Sequence, residues 1–286
     1  MNAIKLYTQV DAIDDGWSCT YEDKYMTVGS CFSDSIGERM CRCGMNVAVN
    51  PFGVLYNPLS IATCLERCIE QQLIVDSDLV FYEGVWHSWL HHSRFSNVEK
   101  QCCMDACNAG MSEARERLLS RCKLIVTFGT AYVFERVETG AVVGNCHKLP
   151  ACNFNRRLLS VVEVVDRWSG LLRQLKDVEV LFTVSPIRHF ADGAHGNQIS
   201  KSTLLLAVDE LVRNHTNAHY FPAYEIVLDE LRDYRFYERD LVHPNDVAVD
   251  CVWDHFLRAY LSVADIAKCE QGWKASRREA HRPMRK

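Results

Sequence analysis

Residues 25–40 read YMTVGSCFSDSIGERM, and the fold turns on how this stretch is divided. Tyr25 to Val28 is a short β-prone run. Gly29 and Ser30 follow as a tight corner, and Phe32, Ile36 and Met40 then fall at helical spacing. The stretch is therefore a strand, a turn and a helix, with a serine on the corner. Ser is a preferred helix cap, which is the ordinary reading of Ser30. The alternative is a nucleophile: backbone N–H groups at a helix N-terminus stabilise negative charge, whether on a phosphate or an oxyanion.

The same alternation continues along the chain. Strand-like runs lie at Met26–Val28, Leu79–Tyr82, Leu124–Phe128 and Val178–Val184, with a weaker one at His219–Phe221. Helical periodicity starts at Asn57-Pro58, where Asn caps and Pro opens the first turn. Further helical segments span about 97–122, interrupted near Gly110, then 158–176, a segment from Ser200, and 245–264. Alternating strands and helices imply crossover connections and a mostly parallel sheet. LIVTF and VEVLFTV are largely apolar, as doubly buried strands are. We expect an α/β fold, a three-layer α/β/α sandwich, as one domain over residues 1–265. The basic stretch from Lys274, KASRREAHRPMRK, lacks an apolar face, so residues 266–286 are expected to be a flexible tail.

Composition narrows the function classes. Hydrophobic residues make up 48% of the 286, charged residues 24%, and the net charge is −5. A chain of this kind can build a sizeable core and presents no overall basic surface for nucleic acid. No apolar run reaches the roughly 18 residues of a membrane span. MNAIKLYTQVDAIDD has no apolar core of signal-peptide length. The 14 cysteines are irregularly spaced and form no CxxC pair, so they read as reduced thiols in a cytoplasmic protein rather than a disulfide or zinc framework. No Walker or dinucleotide loop occurs, and no cofactor or metal is expected. The sequence carries no signal of oligomeric state.

A second polar constellation lies far downstream in ERDLVHPND, residues 238–246. Asp240 and His243 are two residues apart, just before a helix. A catalytic histidine needs an anionic partner to fix its tautomer and stabilise the imidazolium. Taken alone, Asp and His here could simply anchor the helix. With the Gly-Ser corner they give the chain order Ser, Asp, His.

Gly29-Ser30-Cys31-Phe32-Ser33 resembles the signature of the GSCFA-domain family, a bacterial branch of the GDSL/SGNH hydrolase superfamily. It departs at Ser33, where the family has Ala. YEGVWHSWLHHSRFS, VTFGTAYVF, GNCHKLP, TVSPIRH, DGAHGNQISKSTLL and FPAYEIVLDELRDYRFYERDLVHP also resemble that family, so the likeness spans about Met26 to Pro244. It implies a serine esterase or acyltransferase acting on a short-chain ester, with an O-acetyl group on a glycan as the best single substrate. Ser30 would be the nucleophile and His243 and Asp240 its partners, with water or a sugar hydroxyl as acceptor. The resemblance also implies an oxyanion hole from the N–H groups of Ser30 and of Gly84, which follows Leu79–Tyr82. Its third donor is usually an asparagine after the third strand, but Ala131 stands there, with Asn145 and His147 as candidate replacements. That alanine keeps open a catalytically impaired carbohydrate-binding or regulatory protein on the same fold. A thiol enzyme built on Cys31 is a third reading.

Other polar clusters are candidates for substrate contact. Trp86 and His87 sit in HSWLHHS and its approach, where His87 and His91 also have the i, i+4 spacing of a metal pair but no matching third ligand. Thr130 follows the third strand. Arg188 and His189, after Val178–Val184, could orient an acceptor, and His189 competes with His243 for the role of base.

Overall fold

The computed structural model describes residues 7–12 and 16–280. In chain order they form β1 (Lys24–Gly29), α1 (Cys31–Cys43), β2 (Asn46–Val49), α2 (Pro58–Ile69), β3 (Leu79–Tyr82), β4 (Val85–Ser88) and α3 (Lys100–Leu119). Next come β5 (Lys123–Phe128), β6 (Tyr132–Arg136), β7 (Val142–Val143), β8 (Phe154–Leu158), α4 (Val161–Gln174), β9 (Val180–Val184), α5 (Gly193–Asn214) and β10 (Ala218–Tyr220). The short α6 (Ala223–Glu225) runs on as a π-helical turn, Ile226–Leu231, before α7 (Asp246–Tyr260) and α8 (Val263–Ala280).

The central sheet has the order β10-β9-β5-β1-β2, and every pairing in it is parallel. Successive side chains of a strand point to opposite faces, and both faces here are apolar. Met26, Val28, Val126 and Phe182 pack with Leu65 of α2, Met111 of α3, Trp168 of α4 and Leu204 of α5. Tyr25, Ile125 and Leu181 pack instead with Phe32, Ile36 and Met40 of α1 and Phe256 of α7. Helices on both faces of a parallel sheet make the three-layer α/β/α sandwich. Among the described residues, no helix is long and apolar enough to cross a membrane.

Four expectations change. Leu79–Tyr82 is not a central strand: it pairs antiparallel with β4 as a separate hairpin, Phe81 is 55% exposed, and β2 takes the place in the sheet. The helix over 100–119 runs unbroken through Gly110, where a Cβ would lie 2.2 Å from Pro51 O, so the glycine serves close packing. Leu158 is not the start of α4 but the last residue of β8, in an antiparallel sheet of order β7-β6-β8, and α4 opens at Val161. The supposed tail is helix α8 as far as Ala280. Cys269 is buried, and a Cβ on Gly272 would lie 1.8 Å from Cys43 O, so α8 seats closely on the end of α1. Residues 281–286 lie outside the described residues.

Candidate functional site

The Ser30 corner is built by close approach. Gly29 has φ +137°, and a Cβ there would lie 2.1 Å from Thr127 O, so only glycine fits beside β5. Its N–H donates to Asn50 Oδ1 at 2.8 Å, and the Asn50 amide donates to Asp34 at 2.6 Å. Ser30 is extended (φ −68°, ψ 175°) and caps α1, its Oγ accepting the Phe32 N–H at 3.3 Å. Ser30 is completely buried. Its own N–H donates to Thr127 O at 3.2 Å, continuing the β1–β5 ladder. The expected oxyanion donor at Ser30 is therefore already committed, because the ladder extends one residue past the strand.

The Asp240–His243 turn is local and open. Asp240 Oδ1 accepts the N–H groups of Val242 at 2.8 Å and His243 at 3.0 Å, while Oδ2 meets His243 Nδ1 at 2.7 Å. The two backbone donors, then the imidazole, hold the Asp240 carboxyl down at about 2. Leu241 adopts φ +57° at the crest of this turn. With Nδ1 engaged, Nε2 is the nitrogen His243 has left for chemistry.

His243 lines a cavity of about 570 Å³ at the carboxyl end of the sheet. Thr130, Asn145 and His189 line it too, with Tyr56, Tyr132, Phe134, Phe154, Arg156 and Asp192. Ser30 lies beneath this wall rather than in it: a Cβ on Gly129, the residue before Thr130, would be 3.3 Å from Ser30 Cβ. Its neighbour Cys31 is partly exposed and its thiol lies 3.3 Å from the Tyr56 hydroxyl. Buried Arg39 on α1 bonds Asp250 at 2.8 Å and Asp246 at 3.2 Å, so the serine's helix is tied to α7, which the His243 turn leads into.

The other predicted residues divide. Thr130 Oγ1 lies 3.1 Å from Ser200 Oγ and accepts the Tyr132 N–H, fixing the cavity edge. Asn145 lines the cavity while its Oδ1 accepts the His147 N–H. His189 presents a buried, unpartnered Nε2, and burial, with Lys201 and His243 nearby, pushes it down to about 4. It is thus held neutral, whereas His243 has the carboxylate.

Gly84, Trp86, His87, His147 and Arg188 do not line the cavity. Gly84 is corrected outright. It sits at the tip of the β3–β4 hairpin with φ +82° and open space where a Cβ would be, a turn glycine rather than an oxyanion donor after a central strand. Trp86 lies tilted against Phe81, with the Lys100 ammonium over its ring. His87 and His147 are buried and stacked at 4.5 Å, His147 meeting Ser88 O at 2.7 Å, so both brace the hairpin. Arg188 lies over Phe190 at 4.3 Å and donates to Leu241 O, steadying the His243 turn from outside. Ala131 is in the apolar core, its N–H on Ser200 Oγ at 2.8 Å, so this position faces away from the cavity. Among the described residues no three His, Cys, Asp or Glu side chains converge as a metal set would.

Sequence reasoning missed the aromatic wall and a buried lysine. Tyr132, Phe134, Phe154 and Arg156 come from the small antiparallel sheet, whose polar FNRRL strand has no clear period. Lys201 lies 1% exposed under the cavity, with Nζ 2.6 Å from both Gly129 O and Ser185 O. Its signal was available: Lys201 shares helical spacing with Leu204, Val208 and Leu211, the buried face of α5.

A family model, the GSCFA family, matches residues 24–256. No curated protein matches the chain. Among solved structures, the chain is similar to the psychrotrophic esterase EstA from Pseudoalteromonas sp., in a structure inhibited by monoethylphosphonate. The identity is 10% and the TM-score 0.37, over 87% of this chain and 100% of that one.

Proposed function

The chain belongs to the GSCFA family, and from that premise we propose that it is an SGNH-type serine hydrolase or acyltransferase working through an acyl-serine on Ser30. The observation that carries this reading is the Asp240–His243 pair on the cavity, Nδ1 held by the carboxylate and Nε2 left over. In the proposed reaction Ser30 Oγ turns from the Phe32 N–H toward His243 Nε2. Catalytic contacts are often unmade before substrate binds. His243 takes the hydroxyl proton as Oγ bonds the ester carbonyl carbon, then returns it to the leaving alcohol. Water or a sugar hydroxyl attacks the acyl-serine in the second half. The N-terminus of α1 provides the nearest positive dipole end. The aromatic wall, with Arg156 over Tyr132 at 4.0 Å, suits the faces of a sugar ring, so a short acyl ester on a glycan is the proposed substrate.

One observation favours a second reading. Ser30 is buried, with its Oγ and N–H both engaged, as a binding or regulatory protein on this fold would tolerate. The test is labelling with a serine-directed fluorophosphonate, together with turnover of a small activated acetyl ester. Labelling at Ser30, and turnover lost in Ser30→Ala, are expected. Neither labelling nor turnover would overturn the enzyme reading in favour of the binding protein. Iodoacetamide inactivation mapping to Cys31, with Ser30→Ala still active, would transfer the role to the thiol.

A further inference from the structure

We propose that Lys201 is a positioning residue for the Ser30 side of the site: it clamps the two strand ends that wall in the serine and sets a positive charge behind the Gly129 peptide, where it supports the tetrahedral oxyanion. This rests on the acyl-serine reading. The argument starts from α5, where a lysine occupies a position of the apolar face. An ammonium there must find acceptors or lose its charge. Lys201 finds two, Gly129 O after β5 and Ser185 O after β9, each at 2.6 Å. Its third direction faces the Tyr224 ring at 6.0 Å, and among the described residues no carboxylate pairs with it.

The neighbouring Ser200 makes the clamp double. It accepts the Ala131 N–H at 2.8 Å and lies 3.1 Å from Thr130 Oγ1. Consecutive residues of α5 therefore fix three consecutive residues of the loop that touches Ser30 and edges the cavity. Ala131, where the superfamily has a donating asparagine, is apolar and buried and gives no side-chain donor to an oxyanion. A charge one peptide away, inside a low-dielectric wall, acts where a missing hydrogen bond would have acted. Burial holds Lys201 down to about 7. Its charge is thus lost as pH rises through that value, while His243 needs to be neutral to accept a proton. The titratable groups around it are His189 and Tyr224, with Asp192 and His243 beyond His189.

Wild type is measured first against Ser30→Ala on an acetyl ester. No turnover above that background would end the acyl-serine reading, and the Lys201 role would fall with it. Given turnover, Lys201→Met that melts cooperatively should lose about 10²-fold in kcat with KM within about threefold. Lys201→Arg should remove the alkaline fall of the kcat profile. Wild type serves where the variants fail to fold. Binding is reciprocal, so a small boronic acid, forming an anionic tetrahedral adduct with Ser30 Oγ as His243 takes the proton, should raise the Lys201 titration midpoint in ¹³C-labelled-lysine NMR. A folded Lys201→Met with wild-type kcat, or a midpoint unmoved by the adduct, would overturn the proposal.

Discussion

The Ser30 corner and the Asp240–His243 turn both belong to the carboxyl end of the sheet, yet they are held by different forces. Ser30 is fixed by long-range structure: the β1–β5 ladder, the Asn50 side chain and a glycine that admits no Cβ beside Thr127. The Asp240–His243 side-chain pair is set by three bonds spanning at most three residues, with both side chains about half exposed. The serine thus depends on the whole domain being folded. The histidine depends mainly on one carboxylate. A site assembled this way couples a rigid half to a half that can be adjusted locally.

The largest test of that comparison removes one group from each half. Ser30→Ala and His243→Ala should each lower turnover by about 10⁴-fold or more, and the double variant should be hardly worse than either single. The lost cap in Ser30→Ala should cost about 1 kcal/mol in urea unfolding. Losses that multiply in the double variant would mean the two halves do not share a reaction.

Asp240→Asn sharpens the local half. Its remaining carbonyl oxygen can still accept the Val242 and His243 N–H groups, so the turn is kept, while an NH2 replaces the carboxylate oxygen at His243 Nδ1 and favours the wrong tautomer. Turnover should fall by about 10²–10⁴-fold, with unfolding still cooperative. Because the carboxyl is held at about 2, Asp240 should stay ionised through mild acid. The stabilisation it brings is present above its unfolded value and lost only as pH falls toward 2.

Acid acts differently on the buried part. Burial pushes His147 and His189 down to about 4 and His91 to about 3. The unfolded chain binds these protons near pH 6.5 and the folded one does not. Stability should therefore fall as pH drops from about 6.5 to 4, each histidine adding about 1.4 kcal/mol per pH unit. Urea midpoints at a series of pH values would show it. A flat profile would mean these histidines are charged in the folded protein.

The smallest effect belongs to Gly84→Ala. A left-handed residue at an open hairpin tip should cost about 1 kcal/mol and leave turnover intact. A selective loss of kcat would restore Gly84 to the oxyanion side.

What could be read from the sequence follows the same division. Asp240–His243 was legible because its geometry is set by neighbours in the chain. The Ser30 corner was legible as strand, glycine and helix, but its burial and its committed N–H were not, since both come from β5, nearly a hundred residues away. Gly84 was misplaced because LVFY has the composition of a buried strand, and nothing local distinguishes a hairpin from a sheet interior. NVAV, with a polar first residue and a small alanine, has the weaker strand composition of the two. Lysine is by type a surface residue of helices, and only the spacing of Lys201 with Leu204 and Val208 marks it as buried. The basic residues after Lys274 suggested solvent, while the contact that anchors their helix is made by Gly272, which has no side chain to advertise it.

That contact also sets an order of events in the cell. α1 is among the first elements to be translated and α8 the last of those described, yet Gly272 fits against the Cys43 carbonyl with no room for a methyl group. Domains form largely as the chain emerges from the ribosome. Until α8 has been made, the end of α1 around Cys43 stays without the partner that closes over it.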